Sequence, residues 1–416
     1  MPPIADTRPP AAETDVVIVG GGLAGASLGC ALAGTGLRTA VIEAVPREAE
    51  GQPSYDDRSV ALAYGSKRIF AGMNVWPGVA SRGAAPIERI HVSDRGRFGF
   101  TRLDRRHAGL EALGYVVETR VLGAALYQRL GAVEGLELIC PAAVTGIARD
   151  AEGITVSIDG PQAVGERRGR LLVLADGGRS AARELLGIEV RNRDYGQTAL
   201  VANVTPGHEH RNTAYERFTA TGPLAVLPMT QGRCSVVWTV RPPEAEHLLA
   251  LTDAEFLGAL QDRFGERLGV FRQVGRRNAY PLSMARVHPT VVERAALIGN
   301  AAHALHPVAG QGFNLGLRDV ATLAQILAEA ARDGDDIGSE RVLGRYARWR
   351  RRDNQAMTAF TDGLVRLFSN DLAPIAAVRD LGLLAVDLFP PAKRALLRLT
   401  TGMWGRQPRL GRGLEL

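Results

Sequence analysis

The sequence predicts an α/β fold: a Rossmann-like nucleotide-binding domain, an inserted antiparallel β-sheet domain and C-terminal helices. Three observations predict it. An apolar strand, a glycine-rich turn and an Ala/Leu-rich helix run from Asp15 to Ala33. From Ile188 to about Arg276 the pattern turns to β, interrupted by one helical stretch. A second strand, glycine-rich turn and helix start return at Leu297–Gly316, so the nucleotide-binding domain is discontinuous in sequence.

In the first unit Val16-Val17-Ile18-Val19 leads into Gly20, Gly22 and Gly25, and a second strand, Thr39-Ala40-Val41-Ile42, closes on Glu43. Each part of a dinucleotide fingerprint is present in order. Gly20 permits a tight turn, Gly22 lets backbone approach a pyrophosphate, and Gly25 lets the helix pack closely on the strand. Phosphate then sits at the positive end of the helix dipole. Glu43 stands at about the twenty-residue offset where a carboxylate accepts hydrogen bonds from ribose hydroxyls and repels a 2'-phosphate. A flexible loop would explain the glycines but not the strand, helix and terminal acid around them. FAD, NAD and NADP all remain open on these residues.

At 416 residues and 46% hydrophobic content, the chain can bury a substantial core in two domains or in one large domain with an insertion. Cys30, Cys140 and Cys234 are far apart and odd in number. They offer neither a disulfide framework nor a metal site and fit a reducing cytosol. Met1–Thr14 is Pro/Ala-rich without an apolar core, as in a short leader rather than an export signal. The 50 Lys and Arg against 44 Asp and Glu leave a net +6, which favours anionic surfaces in general. No stripe of basic and aromatic residues points to nucleic acid. After Pro374 no stretch reaches the roughly twenty uncharged residues of a bilayer span.

Along the chain, a polar stretch to Asp57 precedes an apolar segment through Leu62, Ile69 and Phe70 that reads as helical from Arg58 onward. Ile87–Ser93 and Arg97–Leu103 flank Asp94-Arg95-Gly96 as a hairpin that leaves the nucleotide domain. A helix at Arg120–Leu130 and strands near Leu136–Cys140, Val144–Ala148 and Ile154–Ile158 lead to the apolar strand Leu171–Ala175. That strand ends at Asp176-Gly177-Gly178-Arg179-Ser180, with Arg183 opening the next helix. The β stretch contains Ala199–Val204, Leu224–Met229 and Cys234–Trp238, with a helix at Asp253–Phe264 to cover them. Helices follow at Leu315–Ala331 and Glu340–Phe368. The expected division is a nucleotide-binding domain at 1–85, 104–187 and 277–340, a substrate domain at 86–103 and 188–276, and a C-terminal helical region at 341–416.

Several side chains carry plainer readings. His303 and His306 lack nearby Cys or carboxylate ligands, so they are structural or cofactor-adjacent, and no metal is expected. Asp176-Gly177 alone is a turn after a buried strand; its meaning rests on Ser180, Arg183 and the two glycine turns. Arg348, Arg350, Arg351 and Arg352 read as a solvated helix face. Leu372–Trp404 mixes apolar and basic residues, which suits either an amphipathic surface at lipid headgroups or packing on the nucleotide domain.

Three motifs in this order, the N-terminal fingerprint, Asp176-Gly177 and Gly299-Asn300, resemble the group A flavoprotein aromatic hydroxylases. Asp56–Leu62, His91–Gly96, Glu216–Phe218, Gly222–Ala225 and His306–Gly316 look like the ubiquinone-biosynthesis hydroxylases, across nearly the whole chain. Asn300 stands where most relatives carry Asp, a departure shared by the 2-octaprenyl-6-methoxyphenol hydroxylase branch. The resemblance implies a fold of p-hydroxybenzoate-hydroxylase type with FAD as cofactor. It sets Gly20, Gly22 and Gly25 against the pyrophosphate, Glu43 at the adenosine ribose, Arg58 on the phosphate side and Arg120 by the ribityl chain. Asp176 and Asn300 would bond near the ribityl and pyrophosphate groups. Pro307 would lie against the isoalloxazine ring. The turn Gly310-Gln311-Gly312-Phe313-Asn314 would aim backbone N–H groups at its N1–C2 edge, where a helix N-terminus stabilises reduced flavin.

The implied reaction is hydroxylation of the aromatic ring of a polyprenylated phenol in ubiquinone biosynthesis. NAD(P)H reduces FAD, O2 adds to give a flavin C4a-hydroperoxide, and the distal oxygen passes to the ring. Such a substrate implies a cytoplasmic protein with peripheral contact to the inner membrane, working beside other ubiquinone-biosynthesis proteins. Two other readings stand next to it. A hydroxylase of a small soluble aromatic acid needs a buried Arg or Lys within 188–276; an FAD-bearing subunit of a biosynthetic complex needs no catalysis of its own. No residue singles itself out as a general base.

Overall fold

The computed structural model describes residues 12–46, 58–161, 164–304, 310–368 and 373–416. Most of the expected leader lies outside them, as do Asp56, Asp57, His306 and Pro307.

The strand Ala12–Val19 lies between Thr39–Ile42 and Gly165–Leu174, parallel to both. Leu136–Ile139 adds beyond the former and Ala295–Leu297 beyond the latter, again in parallel, within an eight-stranded sheet. Val16, Val17 and Ile18 are 0% exposed. A β-branched run buried on both faces suits the middle of a parallel sheet. Alternation divides the run between two layers. Val16, Ile18, Val41, Leu171 and Val173 pack with the helices Leu23–Ala31, Thr119–Leu130 and Gln311–Arg332. Val17, Val19, Ala40, Ile42, Leu172 and Leu174 pack with Ile154, Val156 and Ile158 of an antiparallel extension. Each such buried side chain contributes roughly 1.5–3 kcal/mol, so the strand ends are held in fixed register by both layers.

A nine-stranded second sheet is built on the long strand Val190–Thr205, antiparallel to both Cys234–Val240 and Asn278–Val287. Phe256, Leu260 and Phe264 of the helix Asp253–Phe264 cover Leu200, Leu224, Val226, Val236 and Trp238 on one of its faces. Thr252 and Glu255 start that helix with a reciprocal capping box.

Three expectations are corrected. Asn278–Val287 and His303–Ala304 pair into the second sheet, which therefore runs past the boundary at 276; alternation marks a strand, whereas its partner is chosen by long-range packing. The insertion is antiparallel except where Thr213–Phe218 runs parallel to Arg89–Asp94. The hairpin Arg89–Asp94 with Phe100–Asp104 comes from a distant stretch of chain, and distant segments can pair in parallel. After Arg58 the chain forms a strand, Ser59–Ala63, antiparallel to Gly114–Glu118, before the helix Tyr64–Gly72 begins. A short apolar run fits either element until its partner is known.

The helices Ala373–Leu388 and Pro390–Thr400 return to the second sheet, where the Thr101 hydroxyl donates to the Leu383 carbonyl at 2.5 Å and the Arg102 N–H to Asp387 at 2.9 Å. No described helix is long and apolar enough to cross a membrane.

Candidate cofactor site and active site

Because the central strands of the first sheet are parallel, their carboxyl ends open on one edge, the edge at which doubly wound sheets bind ligands. Gly20 N–H donates to the Ile42 carbonyl at 2.8 Å, Ala175 N–H to Val19 at 2.8 Å and Ile298 N–H to Leu174 at 3.1 Å. Gly20, Glu43, Asp176 and Gly299 therefore emerge side by side. A Cβ on Gly299 would stand 3.1 Å from that of Ala24, so the two glycine turns, remote in sequence, meet.

Gly20 has φ +97°, and a Cβ there would lie 2.7 Å from the Asp176 backbone. Both the conformation and the contact require glycine. At Gly25 a Cβ would approach the Gly20 carbonyl oxygen to 1.8 Å, so the helix touches the turn. Glu43 is buried and accepts from Gly21 N–H at 2.6 Å and Val45 N–H at 2.8 Å, one bond to each carboxylate oxygen. A second lone pair on each oxygen is left for ribose hydroxyls. The Tyr127 hydroxyl braces the turn from behind, donating to the Gly21 carbonyl at 3.1 Å. Gly22 caps the helix without a side-chain bond, which leaves the first-turn amides for a phosphate.

Asp176 begins the neighbouring turn. Its Oδ1 is buried without a hydrogen-bond partner among the described residues. Burial raises its pKa, partly offset by the Ser180 hydroxyl, nearby backbone amides and Arg183. Ser180 caps the next helix by accepting from Arg183 N–H at 3.0 Å. The buried Arg183 guanidinium donates to the Gly178 carbonyl at 2.8 Å and to the Ala301 carbonyl at 3.1 Å. It clips the Asp176 loop to the Gly299 turn.

Below that turn lies a buried charged network that sequence reasoning missed. Asp319 Oδ2 accepts from Gly299 N–H at 3.1 Å and lies 2.7 Å from His303 Nε2, while its Oδ1 accepts from Arg350 Nε at 2.6 Å. Arg350 thus belongs to the core and not to a solvated face, because the helix Glu340–Phe368 turns it toward Asp319 on the helix Gln311–Arg332. Burial alone would raise the Asp319 pKa, but His303 and Arg350 outweigh it and hold the carboxyl below its ordinary value. The available signal was an acid, Asp319, beside Arg318 in a largely apolar stretch of the expected helix Leu315–Ala331.

The second glycine turn is similarly braced. Gly310 is the left-handed N-cap of Gln311–Arg332. Asn314 accepts from Ala63 N–H at 2.8 Å and the Ser66 hydroxyl at 2.7 Å, and donates to the carbonyls of Ala61 at 2.8 Å and Gly310 at 2.7 Å. Its side chain is an internal strut, so what this position offers a cofactor is backbone. Phe313 stacks on Phe70, Gln311 is buried, and Gly312 has open space beside its Cα. Asn300 is exposed at the edge. Arg58 lies 5.0 Å over the ring of Tyr280, at the junction with the second sheet. There Glu118 holds both Arg120 and, at 2.7 Å, Arg233. Pro307 is outside the described residues.

This cradle fits FAD: a carboxylate for the ribose, an uncapped helix end for the pyrophosphate, and an orphaned buried acceptor, Asp176 Oδ1, for a hydroxyl of the ribityl chain. Residues 13–361 match the FAD-binding-domain family. The solved p-nitrophenol 4-monooxygenase PnpA from Pseudomonas putida DLL-E4 shares the fold, with a TM-score of 0.78 at 19% identity over 95% of this chain and 99% of that one. Fold, site and family match define an FAD-binding flavoprotein. Ubiquinone hydroxylase UbiL from Rhodospirillum rubrum is 43% identical over 97% of this chain and 93% of its own length. The 3-demethoxyubiquinol 3-hydroxylase of Escherichia coli K12 is 32% identical, covering 94% and 99%. The chain belongs to the FAD-dependent hydroxylases of ubiquinone biosynthesis.

Proposed function

We propose that this protein hydroxylates the aromatic ring of a polyprenylated phenol, taking electrons from NAD(P)H and oxygen from O2. Its likeness to ubiquinone hydroxylases over almost the whole chain carries the reading. A structural observation separates it from the small-acid alternative. None of the Arg or Lys residues between 188 and 276 is buried, so nothing there offers a dry counter-ion for a substrate carboxylate.

Bound FAD supplies the redox and oxygen-transfer chemistry. The chain's own residues fix where that chemistry happens. Glu43 and the Gly20–Gly25 turn would hold the adenosine and pyrophosphate end, and Asp176 Oδ1 would accept from a ribityl hydroxyl. The N-terminus of Gln311–Arg332 favours negative charge beside it. The second sheet meets the edge at Arg58 and Tyr280. A prenyl tail calls for contact with a membrane surface. Exposed Leu381, Leu388 and Phe389 on the C-terminal helices supply apolar area for peripheral attachment.

Mass spectrometry of quinone precursors in a deletion strain tests the reading: a prenylated phenol lacking one ring oxygen accumulates and disappears on complementation. Unchanged ubiquinone without a precursor overturns it. Substrate-stimulated NAD(P)H oxidation by the purified protein excludes a non-catalytic subunit. Complete recovery in the soluble fraction after gentle lysis, with partner proteins present, counts against membrane contact.

A further inference from the structure

The second sheet has a face that the hydroxylation site does not use. His91 pairs in register with Tyr215, whose ring meets Phe264 of the covering helix edge-on at 5.4 Å. His91 therefore shares the helix-covered face, opposite the one on which Arg58 reaches Tyr280. On this far side a cavity of about 1140 Å³ opens between the hairpin, the loop through residues 207–211, Arg267 beyond the covering helix, and Asp387 and Lys393 of the C-terminal helices.

Its walls carry six Arg and Lys against three Asp and Glu. Two of the three acids are engaged: Asp104 holds Arg106 and Asp387 holds Lys393, each at 2.8 Å. Arg102, Arg211 and Arg267 form no close ion pair among the described residues, although Arg102 and Asp387 are near enough to feel each other's charge. Arg267 also borders an adjoining groove with Arg97 and Arg217, where Asp94 pairs with Arg97 at 3.6 Å and Asp380 lines the wall. A second observation is independent of these exposed cations. His91, part of the cavity lining, is only 5% exposed, and its Nε2 has no hydrogen-bond partner among the described residues. Burial, then Arg267, Arg102 and Arg217, push its pKa down to about 4. The imidazole is neutral at ordinary pH, chiefly because it is buried, with the surrounding arginines adding to the effect and Asp387 opposing it.

We propose that this cavity is a second binding site, separate from the flavin cradle, for a phosphate-bearing anion. Several converging guanidinium groups match the multiple oxygens and charge of a phosphate, whereas a single carboxylate would satisfy one of them. The volume exceeds that of a bare ion, so the phosphate belongs to a larger molecule. That molecule is either a soluble phosphate ester or a lipid headgroup, for which Leu388 and Phe389, 78% and 59% exposed beside Asp387, would enter the acyl boundary.

The test uses the full-length protein loaded with FAD. Pyrophosphate is titrated by calorimetry. Binding to phosphatidylcholine vesicles with and without phosphatidylglycerol is measured by co-sedimentation. Binding of either probe, weakened roughly tenfold or more by Arg267→Glu with flavin content unchanged, supports the site. Response to pyrophosphate alone identifies a soluble ligand, and response to anionic vesicles alone a headgroup. In nitrogen NMR of labelled histidine, the His91 signal moves on pyrophosphate addition if the ligand reaches the floor. Failure of the wild-type protein to bind either probe, or equal binding by Arg267→Glu, overturns the proposal.

Discussion

Replacing Arg350 by Met keeps an apolar stem of similar reach and removes the charge from the centre of a buried network. The guanidinium meets Asp319 through Nε at 2.6 Å, Asp353 through Nη1 at 2.6 Å, and Asn354 and the Leu315 carbonyl through Nη2 at 2.9 and 3.3 Å. Asp319 is 0% exposed, so water cannot take over the vacated position. Removing one partner of such a pair costs about 3–5 kcal/mol, and the remaining bond from His303 places the expected loss near the lower end. Against a total stability of about 5–15 kcal/mol this is a large shift. Urea unfolding followed by circular dichroism, at neutral pH and fixed FAD concentration, reads it directly. The double variant Asp319→Asn/Arg350→Met removes both charges while keeping a side-chain acceptor for Gly299 N–H, and it recovers part of the loss, because an uncompensated charge is a main source of it. A single-variant loss below about 1 kcal/mol, or a double variant no more stable than the single, refutes the reasoning.

Acid sensitivity follows from the same carboxylate. The folded pKa of Asp319 is depressed, so its contribution is fully present above the unfolded value of about 3.9 and is lost as pH falls through the folded value. Asp319→Asn lowers stability at neutral pH and flattens the acid limb of a stability–pH curve; an unchanged acid limb contradicts the assignment. Gly20→Ala forces a Cβ to within 2.7 Å of the Asp176 backbone at a left-handed φ, and the purified variant elutes from gel filtration without flavin absorbance. Burial pushes the Cys30 and Cys234 thiols up to about 12, so a thiol reagent at mildly alkaline pH labels Cys140 in the native protein and all three cysteines after unfolding.

The fingerprint was legible because its parts are local: strand, glycines, helix and Glu43 all lie within one βαβ unit, and backbone sterics dictate where glycine must stand. The late turn was legible for the same reason at Gly299 and Gly310. Arg350 was not, since its exposure is decided by Asp319 on another helix, and within an arginine run the one inward side chain looks like its neighbours. Ser59–Ala63 and Asn278–Val287 were misplaced on similar grounds. An apolar run announces burial, whereas its pairing partner is fixed by contacts far away in sequence. The strut role of Asn314 toward Ala61, Ala63 and Ser66 was not legible, because it depends on the strand Ser59–Ala63, whose apolar run reads equally well as helix.

The Arg183 clip between the Gly178 and Ala301 carbonyls bears on how cofactor and protein come together. Both loops flanking the expected pyrophosphate are joined by the protein's own hydrogen bonds, so their relative arrangement is settled during folding and not during loading. Docking then restricts little further backbone motion, which favours tight retention and slow escape of the bound group. Cutting the tether would loosen the receptacle while leaving each of its donors and acceptors in place.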